Sequence, residues 1–287
     1  CQVAASDIPG QNTMKPVPGI FWFEKDDVAG LKKAILQAKE TAEKGQAGKI
    51  KEEQKAFVER FNLLGIPGVV METEPSVKCG IKGTHVRIKV NGIEEDEHLH
   101  DDGHDHHHHY HGHDHHHNGM AGIEHIVRDH LDISDKVKDD IMAVYGIIAD
   151  AESKAHGVPV SEIHFHEVGT MDAVADVTAV CMLMDMIGPD SVTATPVNAG
   201  GGTVKCAHGI LPVPAPATAN ILEGIPSYMD DTIKSELCTP TGAALLRYFA
   251  DSFEDMPVMK VSGTGHGMGT KDFERANCVE IVLGETE

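Results

Sequence analysis

The sequence predicts an α/β fold, a mixed sheet with flanking helices and a disordered histidine-rich loop, and three observations predict it. Segments with apolar residues at helical spacing alternate along the chain with short strand-like runs. The 287 residues are 41% hydrophobic and 24% charged, enough for a complete core. One segment, 98–117, holds twelve of the twenty histidines and shows no apolar period, so it cannot bury a face.

Residues 1–20 carry three prolines and two glycines and form an irregular lead-in. Asp26 and Asp27 then open a helical pattern in which Val28, Leu31, Ile35 and Ala38 recur at helical spacing. A second amphipathic helix, over about 50–64, aligns Phe57, Phe61 and Leu64 and stops at Gly65-Ile66-Pro67. Residues 84–90 alternate as a half-buried strand. After the histidine loop a short helix is expected over 123–131. A longer one follows over 135–156, capped by Ser134, ended by Gly157, with Val137, Ile141, Val144, Ile148, Ala151 and Ala155 as its core stripe.

Residues 163–167 are read as a strand and 171–187 as a central helix, apolar on most sides and ended by Gly188-Pro189. A strand over 192–198 runs into Gly200-Gly201-Gly202, and Pro214 and Pro216 lead into a helix over 217–223. Thr239 serves as N-cap with Pro240 at the first helical position of a helix through Phe249. Strands over 258–262 and 278–283 close the chain around a flexible glycine-rich loop. Residues 1–55 make an unassigned helical N-terminal segment, and 56–287 one domain interrupted by the loop at 96–119.

The formal charge of −21 excludes a nucleic-acid partner and suits a protein that attracts cations. No run of eighteen apolar residues exists, so no membrane-spanning helix is expected. Six cysteines without a C-x-x-C pair point to a reducing cytoplasm. A chain opening at Cys1 matches a mature lipoprotein or a fragment, and the cytosolic character of the rest favours a fragment.

The tract offers imidazoles at His104, His106, His107, His108, His109, His111, His113, His115, His116 and His117, interleaved with aspartates. Imidazole suits zinc, copper, iron and nickel, so the tract is a metal-collecting loop of undetermined metal. A purification tag would be terminal and unbroken. Downstream, His164 and His166 alternate onto one face of an extended segment, followed by Glu167 and then by Asp172 and Asp176 on one helix face. Two imidazoles and several carboxylates at such a junction fit a divalent-metal or catalytic site better than histidines bonded within the core and a first-turn Asp172, since such groups are costly to gather without a partner. There Glu167 either orients a ligand or acts as a base, and Asp176 supports from behind. His208, between a glycine turn and a rigid proline run, is a further catalytic candidate. Gly200, Gly201, Gly202, Thr239, Thr241 and Gly242 offer backbone suited to an anion, although a plain turn explains the three glycines better and ordinary capping explains the helix start equally well. The stretch at 263–272 has neither P-loop nor dinucleotide spacing.

Several long segments together resemble one family. These are H-F-H-E-V-G-T-M-D-A-V-A-D (164–176), C-A-H-G-I-L-P-V-P-A-P-A-T (206–218), E-L-C-T-P-T-G-A-A-L-L (236–246) and G-H-G-M-G-T-K-D-F (265–273). With E-P-S-V-K-C-G-I-K-G-T-H-V (74–86) before the histidine loop, they resemble the LarC family of nickel-insertion proteins over roughly residues 56–287. The resemblance implies insertion of Ni2+ into pyridinium-3,5-bisthiocarboxylic acid mononucleotide, giving the pincer cofactor of lactate racemase-type enzymes. Two thiocarboxylate sulfurs and one ring carbon come to hold the metal, and the ring carbon loses its proton. It also implies CTP with Mn2+ or Mg2+, used by a further C-terminal domain, and lactate racemase-type apoenzymes as recipients. Two departures stand out: the glycine-rich, Asp-containing opening turn of the family is absent from 1–55, and the sequence stops at Glu287 before that further domain. A nickel or zinc storage protein or metallochaperone is the alternative. A hydrolase using His164, His166 and Asp172 is the third.

Overall fold

A computed structural model describes residues 47–94, 119–165, 168–206 and 208–286. The helical pattern after Asp26, the histidine tract, His166 and Glu167 lie outside the described residues. Helix α1 (Ala47–Leu63) buries Phe57 and Phe61, and Leu64 just beyond its end completes the apolar face. Strand β1 (Val69–Lys78) was not expected, because Glu72, Glu74 and Pro75 disguise it. It is an edge strand, where a proline costs no ladder bond on the open side. It pairs antiparallel with β2 (Ile81–Val90) across Cys79-Gly80, both at positive φ (49° and 85°), the twist that tight two-residue hairpins require. Asn91-Gly92 repeats the device before the short β3 (Ile93–Glu94).

Helix α2 (Met120–His125) runs directly into a π-turn over Ile126–His130, with Ile123, Ile126 and Val127 buried. Helix α3 (Asp135–His156) starts as expected: Ser134 Oγ accepts from the Val137 N–H at 3.3 Å. It ends at Gly157 in the left-handed region. Its stripe from Val137 to Ala151 is buried, joined by Tyr145 and Ala149, but Ala155 is exposed because the core ends a turn earlier. The expected strand at 163–167 is not one. A 3₁₀ turn (Val160–Glu162) leads into irregular chain at 163–165, with no ladder partner among the described residues. Alternation survives without a sheet: Ile163 and Phe165 are buried, Phe165 against Tyr145, and His164 is exposed.

Helix α4 (Met171–Ile187) is the central element, buried almost continuously from Ala173 to Met184. The expected strand over 192–198 breaks at Pro196 into β4 (Thr193–Ala194) and β5 (Val197–Asn198). A hairpin follows, β6 (Thr203–Cys206) and β7 (Gly209–Pro212), then α5 (Pro216–Leu222). Strand β8 (Ser227–Tyr228) pairs parallel with β5. Helix α6 (Pro240–Phe249) begins at the predicted cap, and β9 (Ser252–Phe253) pairs parallel with β4.

The last two strands, β10 (Met259–Met268) and β11 (Cys278–Thr286), form an antiparallel pair. β10 also joins β2 in parallel through Gly267 and Thr84, so the order is β1-β2-β10-β11 with β3 beside β2. The sheet is mixed, as expected. The supposed flexible loop at 263–272 is half strand: Gly263, Gly265 and Gly267 alternate with Ser262, Thr264 and His266, and the glycines are the buried set. Among the described residues no helix is long and apolar enough to cross a membrane.

Candidate functional site

The C-terminal turns of α3 carry Glu152 and His156, four residues apart and so on one face, with His156 Nε2 at 3.3 Å from Glu152 Oε2. The β6–β7 hairpin brings His208 opposite, its ring centroid 4.8 Å from that of His156 and tilted by 54°. Cys206, at the end of β6, stands beside it. These side chains wall a cavity of about 310 Å³, completed by Val168, Glu236 and the first residues of α5 and α6. Both helices turn their N-terminal ends to the cavity, through Ala215–Pro216 and Pro240 respectively.

Three of the sequence segments singled out above therefore meet at one place. Val168 closes the H-F-H-E-V run, Cys206 and His208 belong to the C-A-H-G run, and Glu236 and Pro240 to the E-L-C-T-P run. Of the expected catalytic residues, His208 lines this cavity. Glu152, His156, Cys206 and Glu236 were not among the expected site residues. Glu152 and His156 share a helix face by their i, i+4 spacing, but in the sequence they look like an ordinary charged pair near a helix end. Only the fold sets them against His208.

Asp172 and Asp176 occupy the first turns of α4, both half-buried. Burial, and then the charges of these two carboxylates, hold the Tyr145 hydroxyl well above its ordinary value. Tyr145 lies seven residues before Glu152 on the same face of α3, about 10 Å along the axis from the cavity. His164 is exposed, and His166 and Glu167 precede cavity-lining Val168 in sequence but lie outside the described residues. Among the described residues no three His, Cys, Asp or Glu side chains gather as a metal centre.

The glycines have a clear packing role. Gly200 bridges to Glu236 with φ +84°, and a Cβ there would collide with the Ser235 carbonyl oxygen. The Gly200 N–H donates to Asn198 Oδ1 at 3.0 Å and the Gly201 N–H to Ser235 O at 3.1 Å, while Gly202 O accepts from the Val213 N–H. Thr239 Oγ1 accepts from the Gly242 N–H at 3.2 Å, and Thr241 is buried. The Glu236 segment is braced from outside: Lys271 Nζ donates to Ser235 Oγ at 3.0 Å, and Arg275 pairs with buried Asp230 at 2.8 Å.

The pyridinium-3,5-bisthiocarboxylic acid mononucleotide nickel insertion protein of Clostridium kluyveri is 41% identical over 218 residues, 76% of this chain and 52% of the relative. The protein of the same name from Geobacillus kaustophilus is 34% identical over 223 residues, 77% of this chain and 51% of the relative. The chain thus spans about half the length of the curated relatives it matches. No solved structure matches it. With residues 47–287 matching the family described as nickel insertion protein, the chain belongs to that family.

Proposed function

We propose that this chain inserts Ni2+ into pyridinium-3,5-bisthiocarboxylic acid mononucleotide, with residues 56–287 as the insertion domain and the cavity around His208 as its reaction chamber. The convergence of three separate sequence segments on one cavity carries the reading, supported by the relatives' names. The cavity's volume is in the range of small-ligand sites.

The reaction exchanges a ring C–H bond and two thiocarboxylate lone pairs for one Ni–C and two Ni–S bonds, releasing one proton. Nickel is the cargo, delivered from the histidine tract by way of His164 and His166. His208 is the base for the ring proton, and the Glu152 carboxylate beside His156 holds that second imidazole in place as a relay. Cys206 is a soft donor at the cavity wall, suited to hold the metal before the substrate sulfurs replace it. The mononucleotide phosphate belongs at the start of α6, where Pro240 borders the cavity and Thr241 follows. Gly200 and Gly201 suit it less, their N–H groups being donated within the chain. Glu167, Asp172 and Asp176 are assigned to steering the cation toward the chamber, and the location is the cytoplasm.

CTP with Mn2+ or Mg2+ is a different matter. No trio of carboxylates or imidazoles that would hold its divalent ion gathers among the described residues. That requirement belongs with the rest of the relatives' length. The test supplies nickel, the bisthiocarboxylated mononucleotide, CTP with Mg2+ and a separate C-terminal domain, then measures activation of an apo lactate racemase. Activation is expected, with a loss of at least a hundredfold for His208→Ala and for the His164→Ala/His166→Ala pair at unchanged melting temperature. Undiminished transfer by all of these variants would sink the assignment.

A further inference from the structure

Away from the cavity, the π-turn after α2 brings two imidazoles edge to face. His125 Nε2 and His130 Nε2 are 3.1 Å apart, their rings edge-on with centroids at 4.6 Å. In a regular α-helix, residues five apart are rotated by about 140° and look in different directions. The i→i+5 turn over Ile126–His130 removes that offset, and such turns often mark functional positions. On the far side of the first ring, His125 Nδ1 bonds Asp129 Oδ2 at 2.7 Å. An aspartate there accepts a hydrogen bond from Nδ1–H and leaves the Nε2 lone pair directed outward, the arrangement that prepares a histidine for metal.

The spacing fits one ion. With metal–nitrogen bonds of about 2.0–2.1 Å, nitrogens 3.1 Å apart subtend about 95–100° at the metal, within the range of adjacent ligands. The base of the pair is rigid. Ile126 and Val127 are buried between the two histidines, Arg128 pairs with Asp139 on α3 at 2.9 Å, and Lys138 Nζ donates to Arg128 O at 2.9 Å. His125 and Asp129 are both more than half exposed, so an ion has direct access. In sequence the last tract histidine, His117, precedes His125 by eight residues.

We propose that His125 and His130, buttressed by Asp129, form a two-imidazole port for a divalent transition metal. When the ion binds, His130 holds its remaining proton on Nδ1, so both Nε2 lone pairs reach the metal and no net proton is needed. Two protein ligands leave positions open for water or an exchanging donor, which makes the port a point of transfer. It rests on the nickel reading only for the identity of the ion.

The test uses the full chain with its twelve tract histidines changed to glutamine, so that the port is not masked, and Ni2+ alone as probe in calorimetric titration. His125→Gln/His130→Gln should weaken the tightest binding step at least tenfold, and Asp129→Asn about tenfold. Melting temperature should hold, since these side chains contribute little to the core. An unchanged nickel isotherm in the double variant overturns the port. A chain that inserts no nickel into the mononucleotide would sink the proposed function and leave this binding result standing.

Discussion

Tyr145, Tyr248 and Cys181 each keep their proton more tightly in the fold than in a free chain. Burial is the main cause in all three; Asp172 and Asp176 add to it at Tyr145, and at Tyr248 the Asp140 carboxylate accepts the phenol at 2.8 Å. Their ordinary values are 9.0 for the thiol and 10.0 for the phenols. Above these, the unfolded chain releases protons that the folded chain retains, so stability is complete below pH 9 and falls as pH rises beyond it. Urea midpoints measured from pH 8 to 11 should show this decline, and Tyr248→Phe should flatten it. Little of this was visible in the sequence, because it depends on which carboxylates α3 and α4 bring to each phenol. His208 was legible, being a histidine held between a glycine turn and a proline run. His156 was not, since a histidine in the last turn of a helix reads as a charge suited to that end.

Helix boundaries were the most legible elements. Ser134, Gly157, Gly188, Thr239 and Pro240 all act where capping chemistry places them. Thr239→Ala should lower stability by about 1 kcal/mol in urea unfolding, the usual worth of such a cap. Strands were harder to read, for three separate reasons. β1 hides behind Pro75 and two glutamates, β10 is built on glycines that no propensity favours, and 163–165 alternates correctly but has no ladder partner among the described residues. Gly200 shows what a loop glycine does here. Its positive φ and its approach to Ser235 O both exclude a side chain, so Gly200→Ala should cost about 2 kcal/mol or more and loosen the wall carrying Glu236. Circular dichroism melting and the His208-dependent transfer assay would register the two effects separately.

One apolar core runs through the molecule, but its main sheet is joined at a narrow seam. The β1–β2 hairpin meets the β10–β11 pair through one parallel residue pair, Gly267 and Thr84, reinforced by His85 Nδ1 against Met268 O at 3.1 Å. At Gly83 a Cβ would strike His266 O and come within 2.5 Å of Met268 Cε. Gly83→Ala should therefore part the two halves, costing about 1–3 kcal/mol and speeding amide exchange along residues 81–90. Along the chain 45 acidic residues outnumber 24 basic ones, and the repulsion among like charges is screened within about 10 Å at 0.1 M salt. Melting temperature should rise as sodium chloride is raised from 10 mM to about 0.2 M. The seam also orders events during synthesis. A nascent chain completes the β1–β2 hairpin some 170 residues before the strand that flanks it leaves the ribosome, so the sheet can close only after Met259–Met268 has been made. A product that stopped anywhere between those two points would carry β2 with a bare edge, open to pairing with other chains.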